Sequence, residues 1–86
     1  MNYIINAYKN KNIASSRFEG EVKNYEAKNI CGLGEQCNYK NIGDKNPNIL
    51  LWFLKESYIV SIRLYSSKED DLNKIIELGK IIENKI

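Results

Sequence analysis

The amino-acid sequence predicts an α+β domain of two layers, in which a mainly antiparallel sheet of three to four strands carries two helices on one face. Three features predict this class: a strand of alternating apolar side chains at residues 58–65, a continuously apolar segment before it at 49–54, and an amphipathic helix that closes the chain. With the elements of the first half, the order is β-α-β-β-β-α. Residues 1–86 are predicted to form a single domain, because a chain of this length buries one core.

The first half of the chain is predicted to contain a strand and a helix. Residues 2–8 alternate weakly between two faces, which indicates a strand. A helix follows after a cap at Asn10 or Asn12 and runs to about Tyr25 or Ala27. Its apolar residues recur at helical spacing, at Ala14, Phe18, Val22 and Tyr25. Gly20 weakens a helix, so a strand over residues 17–25 remains the alternative.

The middle of the chain is predicted to contain a loop, a short strand and a second loop. Gly32 and Gly34 punctuate the first loop, and residues 37–42 have the pattern of a strand. Residues 43–48 form a loop by composition. This strand and the hairpin at 49–65 are predicted to pair as an antiparallel meander, with the first strand added at an edge or beside the middle strand.

The turn at residues 55–57 decides which side chains of the hairpin share a face. A turn with an even number of residues, either 56–57 or 55–58, gives three apolar pairs: Phe53–Val60, Leu51–Ile62 and Ile49–Leu64. A three-residue turn places Trp52 beside Val60 instead. We favour the even turn, because the three-residue alternative normally needs a residue that tolerates the left-handed conformation, usually glycine. Trp52 is then predicted on the second face of the sheet, together with Ser61, Arg63 and Tyr65.

The closing helix is predicted from signals at its start and from an apolar stripe along its length. Ser66 or Ser67 offers an N-cap, and acidic residues follow in the first turn, where the helix dipole favours negative charge. These acidic residues are Glu69, Asp70 and Asp71. The apolar stripe consists of Leu72, Ile75, Ile76, Leu78, Ile82 and Ile86. Gly79 lies within the stripe, which predicts a close approach of the helix to the sheet.

The charge distribution argues against a nucleic-acid partner. The net charge is +2, and the lysines are interspersed with glutamates and never form a basic patch or run. The longest apolar run, Ile49 to Leu54, is far shorter than the roughly 18 residues of a transmembrane helix. The N-terminal residues also lack the apolar region of a signal peptide. We therefore predict neither a nucleic-acid partner nor a transmembrane segment.

The sequence offers no catalytic machinery. It contains no histidine, so a nucleophilic serine or cysteine would lack its usual base. Gly32-Leu33-Gly34 lacks the third glycine of a dinucleotide-binding fingerprint, and the carboxylate pair Asp70-Asp71 is explained by its helix N-terminus. Two cysteines without histidine cannot complete a four-ligand zinc site. We predict no enzymatic activity, no cofactor and no metal.

Cys31 and Cys37 bracket a short loop, and two interpretations of the pair are open. A disulfide across this loop is compatible with the geometry of the bond and fits an extracytoplasmic protein. Alternatively, both residues are free thiols that serve as small apolar side chains. A redox role is not indicated, because the Cys-x-x-Cys spacing is absent.

The candidate binding surface is the sheet face that the helices leave uncovered. Its predicted members are Trp52, Arg63, Tyr65 and Tyr39. Aromatic side chains with an arginine are typical of a protein-binding surface. Three interpretations are open: recognition of a ligand or protein partner, formation of a homodimer through this face, or simple packing of large side chains against a loop.

Several short motifs carry a resemblance to a known class of proteins. They are Tyr8-Lys-x-Lys-x-x-Ala14-x-x-x-Phe18, Ile30-x-Gly32-Leu33-Gly34-Glu35-x-Cys37-x-Tyr39, a strand ending near Leu54, Tyr58-Ile-Val-Ser-Ile and the closing helix. This arrangement resembles small secreted prokaryotic lipoproteins of unassigned function. The chain departs from them because the lipobox cysteine and signal are absent, and because Cys37 replaces the small residue usual after the turn.

The resemblance implies an extracytoplasmic role in binding a ligand or a protein, without catalysis, and it transfers no functional residues. We therefore expect a non-enzymatic binding or interaction module, with an extracytoplasmic location favoured. The alternative is a regulatory or accessory subunit in the cytoplasm.

Overall fold

The computed structural model describes residues 2–42, 47–65 and 70–86. Its elements, in chain order, are β1 (Asn2–Ala7), α1 (Lys11–Tyr25), β2 (Asn29–Ile30), β3 (Gln36–Ile42), β4 (Asn48–Lys55), β5 (Tyr58–Leu64) and α2 (Asp70–Lys85). The strands form one antiparallel sheet in the spatial order β1-β5-β4-β3-β2. The predicted α+β class is confirmed. The sheet has five strands because the two residues of β2 pair with β3 and extend the predicted set.

The segment after β1 is a helix, and its ends explain why. The Asn10 side chain accepts a hydrogen bond from the Ile13 N–H at 2.9 Å, which satisfies one of the free donors at the helix start. At the other end Glu26 adopts the left-handed conformation, with φ of 54°, and its N–H bonds back to the Lys23 carbonyl. These two caps favour a helix over the alternative strand at residues 17–25.

The hairpin of β4 and β5 has an even turn, as predicted, and of the two predicted lengths it has the two-residue one. Phe53 pairs with Val60, and the other two predicted apolar pairs are present as well. Glu56 occupies the first position of the turn with φ of 52°, a conformation that usually favours glycine. Its N–H donates to the Glu35 carboxylate at 2.6 Å, which anchors the turn to the neighbouring loop.

The two helices lie on opposite faces of the sheet, whereas the sequence predicted them on one face. The odd-numbered side chains of β4, such as Leu51 and Phe53, pack with Ile75 of α2 in one core. The even-numbered side chains, such as Trp52, pack with Phe18 of α1 in the other. The physical reason is that six consecutive residues of β4 are buried, and an alternating strand can bury all of them only when both faces are covered.

The loop between β2 and β3 is fixed against α2. The Gly34 N–H donates to the Glu83 carboxylate at 2.8 Å, and Leu33 is buried in the α2-side core. A Cβ at Gly79 would collide with the Leu33 side chain of this loop, whereas the Ile62 and Phe53 side chains of the sheet would be in ordinary contact with it at 3.6 Å. The closest approach of α2 at Gly79 is therefore to the loop, and not to the sheet as predicted. The predicted N-cap at Ser66 or Ser67 and residues 43–46 of the predicted loop 43–48 lie outside the described residues. Asn48, which was also predicted in that loop, is the first residue of β4 and pairs with Ile42.

Candidate binding groove

The groove lies on the α1 side of the sheet, beside β1. α1 packs on β4 and β5, and the β1 side of this face receives less cover. Ile4 of β1, which pairs with Ser61 of β5, is consequently 61% exposed. The result is an open groove of about 430 Å³ between the C-terminal half of α1 and β1.

The groove combines an apolar floor with a polar rim. Its lining residues are Asn2, Tyr3, Ile4, Asn6, Glu21, Tyr25, Leu50, Trp52, Ser61, Ile62, Arg63 and Tyr65. Among these described residues, Arg63 is the one cation and Glu21 the one anion. Glu21 has its own partner, because the Arg17 guanidinium lies 3.8 Å from its carboxylate. Arg63 therefore offers the charge that is available to a ligand.

Trp52 lies beneath α1 rather than on an open surface. It pairs with Ser61 as predicted from the even turn, so it faces the same side as Arg63. The Trp52 side chain is nevertheless only 5% exposed, because α1 covers this face, and its indole lies 5.1 Å from the Tyr25 ring. Trp52 therefore belongs to the α1-side core and contributes only its accessible edge to the groove floor.

Arg63 and Tyr65 form the exposed mouth of the groove. The Arg63 guanidinium carbon lies 5.8 Å from the centre of the Tyr65 ring, and the Arg63 Nη1 donates to the Tyr65 hydroxyl at 3.4 Å. Tyr65 is 59% exposed. A guanidinium held on an aromatic ring in this way keeps its remaining donors free for a carboxylate. The structure thus brings together three of the four predicted binding residues, Trp52, Arg63 and Tyr65.

Tyr39 lies on the other face of the sheet, so the prediction that it shares a surface with Trp52 and Arg63 is wrong. It pairs with Leu51 and packs against the α2-side core. The prediction failed because the face of a β3 residue depends on its register with β4, which the sequence pattern of β3 does not specify. The sequence also missed Tyr25 and Ile4 as groove residues. For Tyr25 the available signal was its position seven residues after Phe18, which places it on the same side of α1. For Ile4 the signal was the alternation of side chains within β1.

The two cysteines are bonded on the side of the sheet that faces α2. Cys31 and Cys37 form a disulfide with a Cα–Cα distance of 5.1 Å. Cys37 is buried, and Cys31 packs against the same core. The disulfide closes the loop that carries Glu35 and lies apart from the groove lining.

Glu35 connects this loop to two other elements. Its carboxylate bonds to the Lys11 ammonium at the start of α1 and accepts the Glu56 N–H of the β4–β5 turn. The hydrogen bond from Lys11, supported by that from Glu56, lowers the pKa of the Glu35 carboxyl from its ordinary value of 4.5. The carboxylate acts as a structural clamp in this arrangement.

In residues 2–42, 47–65 and 70–86, no three Cys, Asp or Glu side chains are placed to hold a metal ion. The described helices are also too short or too polar to cross a membrane. Comparisons with protein-family models, curated proteins and solved structures return no match for this chain.

Proposed function

We propose that this chain is a non-enzymatic binding module that holds a segment of a protein partner in the groove between α1 and β1. The observation that supports the proposal is the combination of a groove of about 430 Å³ with an apolar floor and a single available cation at its mouth. Specific sites commonly have this composition, in which apolar walls supply affinity and a few polar groups fix orientation.

The chemistry of the lining defines the expected partner. An apolar side chain of the partner would pack against Ile4 and Tyr25, which are 61% and 46% exposed. A carboxylate of the same segment would accept hydrogen bonds from the Arg63 guanidinium, beside the Tyr65 ring. The amide side chains of Asn2 and Asn6 at the β1 rim add donors and acceptors for the peptide backbone.

An extracytoplasmic location is part of the proposal. The bond between Cys31 and Cys37 supports it, because disulfides persist in oxidising compartments and are rare in the cytoplasm. The resemblance to small secreted lipoproteins leads to the same expectation. A thiol count on protein made in its native host and denatured under alkylating conditions tests this part. Two free thiols would favour the alternative of a cytoplasmic regulatory or accessory subunit.

Binding in the groove is tested with anilinonaphthalene sulfonate, a probe that joins an apolar body to an anionic group. We expect one probe molecule per chain, quenching or shifting of the Trp52 emission, and competition by acidic peptides selected from a random library. Arg63→Ala should weaken probe and peptide binding about tenfold, through loss of the charge-assisted hydrogen bonds. The matched control is Lys80→Ala, which removes a positive charge from the exposed side of α2.

Two results would contradict the proposal. The first is equal loss of binding in Arg63→Ala and Lys80→Ala, which would indicate a general charge effect. The second is probe binding that survives Ile4→Glu, because a carboxylate on the groove floor should repel an anionic probe and remove apolar contact area.

A further inference from the structure

β1 is an edge strand whose outer side has no neighbour within the described residues. It pairs only with β5, at one end of the sheet. All six of its residues are exposed, and Tyr3, Ile4 and Ile5 are 53%, 61% and 40% exposed. Tyr3 and Ile5 pair with Ile62 and Val60, which belong to the α2-side core, whereas Ile4 pairs with Ser61, so large apolar residues alternate between the two sides of the strand.

This edge lacks the usual protection against strand pairing. Natural sheets shield an edge by shortening it or by placing lysine, proline or a bulge on it. The opposite edge, β2, is only two residues long. By contrast β1 has six residues, Asn-Tyr-Ile-Ile-Asn-Ala, without a charge or a proline. An exposed, uncharged and apolar strand of this length is suited to pair with another strand.

The hydrogen bond at the end of β1 shows which backbone groups face outward. The Tyr8 N–H donates to the Ser57 carbonyl at 2.8 Å, so residues of even number along β1 direct their N–H and C=O groups toward β5. Tyr3, Ile5 and Ala7 therefore direct their backbone groups away from β5. These three residues offer six groups to a strand on the outer edge.

We propose that the occupant of this edge is a second copy of the chain, whose β1 pairs antiparallel with the first about a twofold axis at Ile5. This register pairs Ile5 with its own copy and Tyr3 with Ala7 of the second copy. It uses all six outward groups in six hydrogen bonds. A twofold axis at Ile4 would instead form hydrogen bonds only between Tyr3 of one copy and Ile5 of the other, and the outward groups of Ala7 would have no partner in β1. The Ile5 register creates a continuous ten-stranded sheet.

The side chains are compatible with this self-pairing. The large Tyr3 faces the small Ala7, and two Ile5 side chains meet on the α2 face, an apolar cross-strand pair. No like charges are opposed, because β1 has none. A standard interface covers about a tenth of a small protein's surface. The accessible surface of this chain is 5752 Å². Since six residues form the contact, we expect an exchanging dimer with a dissociation constant on the order of 10–100 μM.

Sedimentation equilibrium of the oxidised chain over a range on the order of 1 μM to 1 mM tests the association. We expect a monomer–dimer equilibrium, which Ile5→Lys weakens at least about tenfold by opposing two positive charges. The matched control is Ile30→Lys at the opposite edge, where Ile30 is 81% exposed; it should leave the equilibrium unchanged. A chain that is monomeric at the highest concentration, or equal effects of both variants, would overturn the proposal.

Ala7→Pro tests the backbone geometry. It removes an outward N–H and leaves the bonds to β5 in place, so it should weaken the dimer while the melting temperature stays close to that of the wild type. Asn6→Pro removes an N–H that faces β5 and should lower the melting temperature. A dimer unaffected by Ala7→Pro would refute pairing through this edge.

Cysteine cross-linking tests the register. In antiparallel pairs, residues that exchange hydrogen bonds have Cα atoms about 5.5 Å apart, within the range of a disulfide. Ile5→Cys should therefore form a covalent dimer under mild oxidation. Ile4→Cys should react more slowly, because in this register residue 4 lies opposite Asn6 of the second copy and only diagonally across from residue 4 of that copy. Faster reaction of Ile4→Cys would overturn the proposed axis. The inference does not rest on the proposed function, since Arg63→Ala should leave both association and cross-linking unchanged.

Discussion

The Trp52 indole lies 5.1 Å from the Tyr25 ring at an interplanar angle of 36°, so the last turn of α1 is held on the centre of the sheet. This contact fixes the wall of the groove relative to its floor. It also explains how one residue belongs both to the core and to the candidate binding site.

Replacement of Trp52 is expected to cost stability. Trp52→Ala leaves a cavity under α1 at a position that is 5% exposed, and we expect a loss of about 3–5 kcal/mol in the free energy of unfolding. Urea titration followed by circular dichroism measures the loss. Arg63→Ala, on the exposed mouth, should change the same quantity by less than about 0.5 kcal/mol. A Trp52→Ala protein as stable as the wild type would show that α1 does not depend on this contact.

The exposed glycine of α1 offers a stabilising substitution. A Cβ at Gly20 would have no heavy atom within 4 Å, and the residue lies inside a helix. Gly20→Ala should therefore raise the free energy of unfolding by about 0.5–1 kcal/mol, since alanine has the higher helix propensity. Gly79→Ala is the comparison in α2, where the new methyl group would collide with Leu33 and should lower the stability. Equal effects at both glycines would contradict the packing described for α2.

The Glu35 clamp predicts a pH dependence of stability. The folded-state pKa of Glu35 is lowered by the hydrogen bonds from Lys11 and Glu56, so its stabilising effect is present above the ordinary value of 4.5 and is lost as the pH falls through the folded value. Glu35→Gln should therefore flatten the decrease of the urea midpoint between neutral pH and about pH 3. The control Glu19→Gln, on an exposed part of α1, should keep the wild-type profile. Identical profiles for Glu35→Gln and wild type would exclude this clamp as a source of the pH dependence.

The disulfide is expected to stabilise the fold without contributing to the groove. Replacing both Cys31 and Cys37 by alanine removes a cross-link between residues six apart, which should cost about 2 kcal/mol in the free energy of unfolding. Chemical denaturation of oxidised wild type and of the double variant at equal pH measures this cost. Binding of anilinonaphthalene sulfonate to the folded double variant should match that of wild type. A selective loss of probe binding would place the loop in the site.

Local patterns predicted the hairpin and both helices, although they left a strand open at residues 17–25, where the caps of α1 decide for the helix. The polar turn at residues 55–57 is so short that the sequence left only the choice between an even and a three-residue turn, and the lack of a glycine favoured the pairing of Phe53 with Val60. The cap and spacing of α1 and the stripe of α2 are likewise encoded within single segments.

The placement of elements relative to one another needed information that no single segment holds. The apolar run Ile49–Leu54 indicates a strand covered on both faces, but it does not say which helix covers which face. The choice of β5 as the neighbour of β1 is a long-range pairing, and it creates the Ile4 side of the groove. The face of Tyr39 depends on the register between β3 and β4 across a loop. Consequently Arg63 and Tyr65 could be proposed from the sequence, while Tyr25 and Ile4 could not.

The central position of β4 has a consequence for the way this chain unfolds. Its alternate side chains are shared between two cores, so detaching either helix exposes a strand on which the other core depends. Opening of one core should therefore lower the stability of the other, and the molecule should lose both in a single cooperative transition. We expect the backbone amides of Leu51, Trp52 and Phe53 to exchange with solvent at the slowest and nearly equal rates. Those of β1 should exchange earlier, because that strand can leave the sheet without disturbing either core.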